Sequence, residues 1–365
     1  MRAKSLLPGP LRKVARRVRL LGRRPEPPPI PGLPDGLEQE LLADVCRRVL
    51  GEDPRRASYR HLSGFKTAGG AYRVYVETTT DRPWTVFYKE CRYGRDDAPG
   101  LIGHPATLGP PEFTVYGSAD PEVRRFLPDV YHREEIEPGV RYRYVLQDVQ
   151  GAYLKPATPD ELLRAVAGLR PLGHALRDWI QRSGEERLIR YDHGMMVEVG
   201  AYVEEALHRY ATSGPDSNAV RLLPVAEMIE VLSRPQFHDL AEPSGVHGDY
   251  NRASVLVGKH PESGMKVVDW EWAGIGLPHI DLAILLERAD PDLTSRALQT
   301  FARQEPGLSY AEHERLLHWS RLATCLSNAA IMATEVLDGS VATSRDRPAY
   351  LRWLLKLATS AYRRL

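Results

Sequence analysis

The sequence predicts an α+β protein in two lobes, with an antiparallel sheet in the N-terminal lobe and a larger, mostly helical C-terminal lobe. Short strand-like runs separated by turns fill the stretch after residue 60, which is typical of an antiparallel meander. From Pro159 onward, apolar residues recur at three- and four-residue steps, which is typical of helices packed on a core. A chain of 365 residues can bury a large core and suits two lobes better than one.

Composition limits the classes of function. The hydrophobic fraction of 42% and the charged fraction of 27% are ordinary for a globular protein. A net charge of +1 gives no reason to expect a specific nucleic-acid partner. The three cysteines are far apart without metal-ligand spacing, so we expect reduced thiols and a cytoplasmic location. We expect neither a signal peptide nor a transmembrane segment, because no apolar run approaches the ~18 residues that a membrane span needs.

Residues 1–36 differ from the rest of the chain. All charged residues before Glu26 are basic, and a proline-rich run through Pro34 follows. Prolines do not build the interior of a helix or sheet, so we predict an extended tail. Residues 11–21 fit a short basic amphipathic helix that could contact an anionic surface. A solvated tail with no specific partner is the alternative that we favour.

The elements that follow are predicted from periodicity. Residues 37–50 fit a helix, and residues 61–65, 71–77 and 84–88 fit strands, with Lys89 at the end of the last one. Gly69 and Gly70 lie between the first two strands, where a hairpin turn alone would explain them. Further helices are predicted around residues 162–179, 197–210, 225–232, 281–287, 310–330 and 350–364.

The most informative stretch lies between Ser244 and Ala283. Two β-branched runs, at 253–257 and 265–268, are joined by a turn rich in Gly, Pro and Ser and are predicted as a hairpin. Asp249 precedes the first run and Asp269 closes the second. The hairpin therefore places two carboxylates near each other at one end, which suits a hydroxyl nucleophile held beside a metal-bound phosphate.

This stretch resembles the catalytic and metal-binding loops of the aminoglycoside phosphotransferase and choline kinase superfamily, which are small-molecule kinases with a protein-kinase-like fold. The family pattern is H-G-D-x-x-x-x-N, then a strand, then an apolar run ending in D-W-E, then P-x-x-D-L-A. Ser254 stands where the family has Asn, and Asn251 offers a carbonyl outside the family's register. The matching residues are His247, Gly248, Asp249, Asp269, Trp270, Glu271, Pro278, Asp281, Leu282 and Ala283.

The resemblance implies a set of nucleotide-binding residues. Gly69 and Gly70 would let backbone N–H groups approach the ATP phosphates, and Lys89 would pair with those phosphates while Glu112 holds it. Strands are then expected at 127–131 and 142–146. The second strand runs into a hinge at 147–151, where main-chain groups of Gln147 and Val149 would hold adenine. The nucleotide-binding lobe would span residues 37–146, and the catalytic and acceptor-binding lobe would span residues 147–365.

The resemblance also implies the catalytic roles. Asp249 would accept or orient the proton of the acceptor hydroxyl, and Asp269 would bind Mg²⁺ with possible help from Glu271. Arg252 is a candidate to face the transferred phosphate, and a plain surface arginine is the alternative. The loop would be supported by His247, which shapes it, and by Asp281, which accepts backbone hydrogen bonds.

The function implied is an ATP-dependent kinase that phosphorylates a hydroxyl of a small molecule. Candidate acceptors are an aminoglycoside or other antibiotic, which would mean antibiotic resistance, an amino alcohol, or a sugar. Glu335 and Asp338 are acids that could line a site for a cationic acceptor. The alternative is a nucleotide-binding pseudokinase with a regulatory or scaffold role, since a Ser254 hydroxyl is a weaker Mg²⁺ ligand than a carbonyl oxygen. We favour the enzyme because Lys89, Glu112, Asp249 and Asp269 are all present.

Overall fold

A computed structural model describes residues 30–62, 70–81, 83–92, 111–149, 153–215, 218–221, 223–260, 263–337 and 347–365. The chain divides into two compact units, Met1–Phe65 with Ala71–Val86 and Lys66–Gly70 with Phe87–Leu365. The lobe ranges 37–146 and 147–365 remain predictions. None of the helices in the described residues is long and apolar enough to cross a membrane.

The first unit contains a helix and antiparallel strands. Helix α1 (Gln39–Leu50) buries Leu42, Val45 and Cys46 and ends at Gly51. Strands β1 (Ile30–Pro31), β2 (Pro54–His61) and β3 (Ala71–Thr78) are neighbours in that order and pair antiparallel. Strand β4 (Pro83–Arg92) begins in this unit and continues into the second.

Two expectations for this unit need correction. The strand predicted at 61–65 lies earlier, at Pro54–His61, and residues 63–65 lie outside the described residues. That strand is mostly polar and half-buried or exposed, so no apolar run marks it. The predicted tail also contributes to the sheet, because Ile30 and Pro31 form an edge strand, a position that tolerates proline. Residues 1–29, with the predicted basic helix, lie outside the described residues.

In the second unit, β4 neighbours β6 (Arg141–Gln147), which pairs antiparallel with β5 (Val130–Glu137). Strand β5 begins three residues later than predicted because Leu127 closes a turn, its N–H donating to the carbonyl of Arg124. Lys89 is interior to β4 rather than at its end. Two short helices, α2 (Pro111–Tyr116) and α3 (Pro121–Arg124), precede β5.

The rest of the second unit is mainly helical, which confirms the predicted α+β class with an antiparallel sheet before a helical C-terminal part. Two small sheets have the strand orders β11-β10-β7 and β8-β12-β9. Their strands are β7 (Tyr153–Leu154), β8 (Ile189–Arg190), β9 (Ser244–Val246), β10 (Val255–Gly258), β11 (Met265–Val267) and β12 (Gly274–Gly276). The helices are α4 (Pro159–Ser183), α5 (His193–Ser213), α6 (Asn218–Arg221), α7 (Val225–Leu232), α8 (His279–Leu285), α9 (Pro291–Ala302), α10 (Tyr310–Leu337) and α11 (Arg347–Tyr362).

Helix α4 contains Pro171 yet continues to Ser183. Proline has no N–H, so the carbonyl of Ala167, four residues earlier, loses its helical donor. The side chain of Gln304 replaces that donor, with its Nε2 donating to the Ala167 carbonyl oxygen at 3.1 Å. Gln304 therefore satisfies a backbone group in the middle of α4.

This contact gives a stability prediction. We expect Gln304→Leu to lower the free energy of unfolding by about 1 kcal/mol, because the Ala167 carbonyl is left without a donor. In a Pro171→Ala background the new N–H reaches that carbonyl, so the same substitution should cost much less. Urea unfolding of the four proteins measures the difference. An equal loss in both backgrounds would mean that Gln304 acts through packing alone.

Candidate active site

Lys89 is the centre of a charged cluster inside the second unit. Strand β4 places its side chain in the interior, where it is 2% exposed. Its Nζ lies 3.0 and 2.9 Å from the two carboxylate oxygens of Glu112 on α2. It also lies 2.7 Å from Asp269 Oδ1 and 3.0 Å from Glu271 Oε1. The structure thus places Glu112 beside Lys89, as the order of motifs led us to expect, and adds the two expected metal-binding acids Asp269 and Glu271 to the pair.

The charges of this cluster are unbalanced. Burial lowers the pKa of Lys89, but Glu112 and the other acids outweigh it, so the net pKa lies well above its ordinary value. Burial raises the pKa of Glu112 to about 7, against the opposing effect of Lys89. Burial also works against ionised Asp269, but Lys89 keeps its pKa below the ordinary value. One ammonium therefore faces three carboxyl groups, and the site attracts a further cation.

Asp269 has an unusual backbone. Its φ of 70° lies in the left-handed region, which is costly for a residue with a Cβ. The neighbouring Trp270 is fully buried, and its Nε1 donates to the carbonyl of Val267 at 3.0 Å. The pKa of the buried Tyr116, on the helix that carries Glu112, lies well above its ordinary value, first because of burial and then because of the nearby carboxylate of Glu112. Asp269 thus adopts this conformation next to a buried, hydrogen-bonded tryptophan, with its carboxylate 2.7 Å from Lys89 Nζ.

The loop after β9 is fixed by hydrogen bonds to its main chain. Asp281, on α8, accepts the N–H of His247 at 2.6 Å and that of Gly248 at 2.8 Å. His247 Nε2 lies 3.0 Å from the carbonyl of Val268, and its Nδ1 accepts the N–H of Asp249 at 3.2 Å. Burial lowers the pKa of His247 to about 4, so the ring is neutral with its proton on Nε2. Both side chains are thus engaged by the backbone.

Gly248 is required by the geometry of this loop. Its φ is 78°, and a Cβ at this position would lie 2.3 Å from both the Trp272 carbonyl oxygen and the Tyr191 hydroxyl. The Tyr191 hydroxyl itself donates to that carbonyl at 2.6 Å. Any other residue would push the loop away from the segment that follows Asp269.

Asp249 lies half-buried at the end of this loop. Burial raises its pKa to about 6, and the acids Asp269, Glu271 and Glu287 act in the same direction. The Nδ2 of Asn251 opposes them by donating to Asp249 Oδ1 at 2.9 Å. Asn251 Oδ1 accepts the N–H of Ala253 at 2.6 Å and that of Ser254 at 3.2 Å. The side-chain carbonyl of Asn251, to which the sequence analysis gave no partner, therefore accepts hydrogen bonds within the loop.

The proposed metal ligand Ser254 and the proposed phosphate-facing residue Arg252 differ in their surroundings. Ser254 is 3% exposed, and its carbonyl accepts the N–H of Val268 at 2.9 Å, which ties the loop to the segment before Asp269. Arg252 is half-buried, and its Nε has no hydrogen-bond partner among the described residues. A buried guanidinium nitrogen without an acceptor suits an anionic group.

The nucleotide-binding candidates lie on β4, β6 and the segments beside them. The N–H of Gln147 donates to the carbonyl of Asp129 at 2.8 Å. The carbonyl of Val149 accepts from the N–H of Tyr153 at 3.3 Å. Gly70 has a φ of 92°, and its carbonyl accepts the N–H of Glu90 at 3.0 Å. Gly69 lies outside the described residues.

Sequence reasoning missed some residues of this site. Cys91 Sγ lies 3.9 Å from Glu112 Oε2 and 3.9 Å from Glu271 Oε1. Its position two residues after Lys89 in a strand was the available signal, because such residues share a face. For Asn251 the sequence indicated only a carbonyl outside the family's register. Glu335 is paired with Arg347, so its charge is already neutralised, and Asp338 lies outside the described residues.

Residues 117–319, more than half of the chain, match the family described as "Phosphotransferase enzyme family". A search among curated proteins found no matching sequence.

Solved structures share the fold. A choline kinase from Streptococcus pneumoniae is 13% identical with a TM-score of 0.57, covering 88% of this chain and 98% of its own. An ethanolamine kinase from Plasmodium vivax is 8% identical with a TM-score of 0.53, covering 85% and 84%. A mutant aminoglycoside 2'-phosphotransferase in its GDP complex is 11% identical with a TM-score of 0.53, covering 89% and 98%. At these identities the likeness shows the fold, which is the expected protein-kinase-like one.

The Lys89 cluster gives a second prediction. We expect Lys89→Ala to lower the free energy of unfolding by about 3–5 kcal/mol, because it leaves buried carboxylates without a counter-charge. Glu112→Ala should cost less, since Asp269 and Glu271 still pair with Lys89. The double variant should lose clearly less than the sum of the two, as measured by denaturant unfolding.

The pair Asp44 and Arg48 is the matched control. Their side chains lie 2.8 Å apart but are more than half exposed. The corresponding alanine variants should couple by less than about 0.5 kcal/mol. Additive losses at Lys89 and Glu112 would show that the buried pair does not act as a unit.

Proposed function

Because the chain belongs to the phosphotransferase enzyme family, we propose that it uses ATP to phosphorylate a hydroxyl group of a small molecule. The observation that carries the proposal is the cluster of Lys89, Glu112, Asp269 and Glu271 in the same unit as Asp249. Phosphoryl transfer needs little covalent chemistry from the protein and depends on positioned charges of this kind. Structural neighbours named as a choline kinase and an aminoglycoside phosphotransferase support an amino alcohol or an aminoglycoside as the first acceptors to test.

The proposed nucleotide site uses Lys89 as its main cation. The α- and β-phosphates of ATP would contact the ammonium, which Glu112 holds at 2.9 Å. Adenine would contact the carbonyl of Gln147 and the N–H of Val149, and the segment with Gly69 and Gly70 would cover the phosphates. We also propose that residues 37–146 form the nucleotide-binding lobe and residues 147–365 the catalytic and acceptor-binding lobe.

The residues beside Lys89 fit a divalent cation. Asp269 and Glu271 already hold the ammonium of Lys89 at 2.7 and 3.0 Å, so their oxygens converge on a cation, and hard oxygen ligands suit Mg²⁺. Asp269 would be the principal ligand, with Glu271 and Ser254 as further candidates. When bound, Mg²⁺ would neutralise charge on the β- and γ-phosphates.

Asp249 is proposed as the group that receives the proton. The acceptor hydroxyl oxygen forms a bond to the γ-phosphorus, the bond from that phosphorus to the bridging β-oxygen breaks, and ADP leaves with that bond's electron pair. The hydroxyl proton passes to the carboxylate of Asp249, whose pKa of about 6 leaves it mostly ionised at neutral pH. The Nε of Arg252, which no described residue contacts by a hydrogen bond, would face the transferred phosphate.

The second candidate is a nucleotide-binding pseudokinase with a regulatory role. The observation that favours it is Ser254, a shorter and neutral side chain at the position where the superfamily pattern places a metal-binding Asn. Measured transfer of phosphate to an acceptor distinguishes the kinase from the pseudokinase.

The direct test is an ATP-consumption screen against a panel of aminoglycosides, amino alcohols and sugars, with product detection by mass spectrometry. We expect one class to give a phosphorylated product. Binding of ATP and Mg²⁺ with no transfer to any member of the panel would favour the pseudokinase.

For a productive acceptor, Asp249→Asn should lower single-turnover transfer by about 10²–10⁴-fold, because the hydroxyl loses its proton acceptor. Nucleotide affinity should change little, since Lys89 and Glu112 are untouched. Transfer within a few-fold of the unmodified protein would remove Asp249 from this role.

Ser254→Asn tests the metal site. An added carbonyl ligand worth about 1.4 kcal/mol corresponds to a ten-fold change, so we expect a lower Mg²⁺ requirement or faster transfer. The unmodified protein should also accept Mn²⁺ well, which tolerates looser geometry. If the Asn variant shows no gain and the unmodified protein is fast at low Mg²⁺, then Ser254 suffices as it is.

A further inference from the structure

We propose that Asn251 is the positioning residue for Asp249, because its side-chain amide holds the Asp249 carboxylate while its side-chain carbonyl holds the loop. The proposal rests on the proposed function for its consequence in turnover. The contact itself is independent of any acceptor. The superfamily pattern leaves this position open, and nothing in the motif assigns a task to it.

The direction of the contact follows from the hydrogen bonds around Asn251. Its Oδ1 accepts two main-chain N–H groups, those of Ala253 at 2.6 Å and Ser254 at 3.2 Å. Carbonyl oxygen accepts and does not donate, so the NH₂ end of the amide must point the other way. That end lies 2.9 Å from Asp249 Oδ1. Reversing the amide would place its NH₂ group against two N–H donors and its oxygen against the Asp249 carboxylate oxygen, so the orientation is fixed by its partners.

The backbone strengthens this arrangement. The N–H of Asn251 donates to the carbonyl of Asp249 at 2.8 Å, and its own carbonyl accepts from the N–H groups of Ser254 and Val255, each at 3.1 Å. Residues 249–255 are thus folded around Asn251 by both its main chain and its side chain. Among the described residues, one oxygen of the Asp249 carboxylate has a hydrogen-bond partner, and we assign the other oxygen to the acceptor hydroxyl.

The electrostatic surroundings show what the amide does. Asp249 faces Asp269, Glu271 and Glu287, and all three acids disfavour its ionised form, as does its burial. Asn251 is the neutral donor that favours the ionised form. Without this donor, the pKa of Asp249 would rise. More of the carboxyl group would then be protonated at a given pH and unable to accept a proton from a hydroxyl.

Two substitutions separate holding the loop from holding the carboxylate. Asn251→Asp keeps the side-chain oxygen that accepts the Ala253 and Ser254 N–H groups, but it replaces the donor with a second carboxylate oxygen beside Asp249. Asn251→Ala removes both functions. Asn218→Asp makes the same chemical change at an exposed residue elsewhere in the unit and serves as the control.

The readout is the pH profile of kcat with saturating ATP and acceptor. In the unmodified protein the acid limb should fall near pH 6. We expect it to move up by about one pH unit in Asn251→Ala, because a hydrogen bond to a charged group is lost. It should move further in Asn251→Asp, because two adjacent carboxylates share a proton. The KM for ATP should stay within two-fold in both, and Asn218→Asp should match the unmodified protein.

One result for the two Asn251 variants would overturn the proposal. If Asn251→Asp keeps the acid limb of the unmodified protein while Asn251→Ala is impaired at all pH values, then Asn251 only shapes the loop. A matched thermal melt of the variants shows whether either has lost its fold.

A second measurement needs no turnover and so separates this proposal from the proposed function. Aspartates labelled with ¹³C at the carboxyl carbon are titrated by NMR, and the Asp249 signal is assigned by its absence in Asp249→Asn. A higher pKa of that signal in both Asn251 variants supports the contact even if no acceptor is found. An unchanged pKa in Asn251→Asp removes it, whatever the protein phosphorylates.

Discussion

The buried ammonium of Lys89 is the interaction on which the rest of the site depends. It joins β4, α2 and the segment that follows β11, which are distant in sequence. Breaking a buried ion pair leaves an uncompensated charge. The contacts of Lys89 therefore fix the positions of these three elements relative to one another. Since three carboxyl groups surround one ammonium, the cluster keeps excess negative charge and attracts a further cation. A site that binds ATP with a divalent metal needs this combination of rigidity and excess negative charge.

The loop that carries Asp249 is attached to this cluster through main-chain hydrogen bonds rather than through side-chain charge. His247 joins the loop to the carbonyl of Val268, directly before Asp269. Ser254 makes a second connection through its own carbonyl to the Val268 N–H. Asp281 then fixes the start of the loop from α8. Asp249 and Asp269 are therefore held in register by the backbone, and their carboxylates remain available for chemistry.

The sequence indicated those candidate site residues whose side-chain chemistry few other residue types could supply. Carboxylates beside a hairpin and a lysine in an apolar strand can be recognised because few other residue types could perform those tasks, and the fold class followed from periodicity. Strand β2 escaped because its exposed, polar residues carry no hydrophobic pattern. The contacts of Asn251 and Cys91 could not be predicted because they depend on rotamers and on partners that the fold brings together. The lobe boundary and the residue roles remain predictions, since geometry alone does not test them.

At Ser254 the departure from the family pattern changes the side chain, while the main chain keeps its hydrogen bonds. Its main chain is fixed on both sides, by Asn251 at the N–H and by Val268 at the carbonyl, so the start of β10 is well positioned. A serine oxygen reaches one bond less far from Cβ than an asparagine oxygen, and the difference therefore lies in reach and ligand strength. Lys89, Asp249 and Asp269 keep their contacts independently of it. Under the proposed function, a weaker ligand at Ser254 would change the metal requirement more readily than it would abolish transfer, and this is why we favour the enzyme over the pseudokinase.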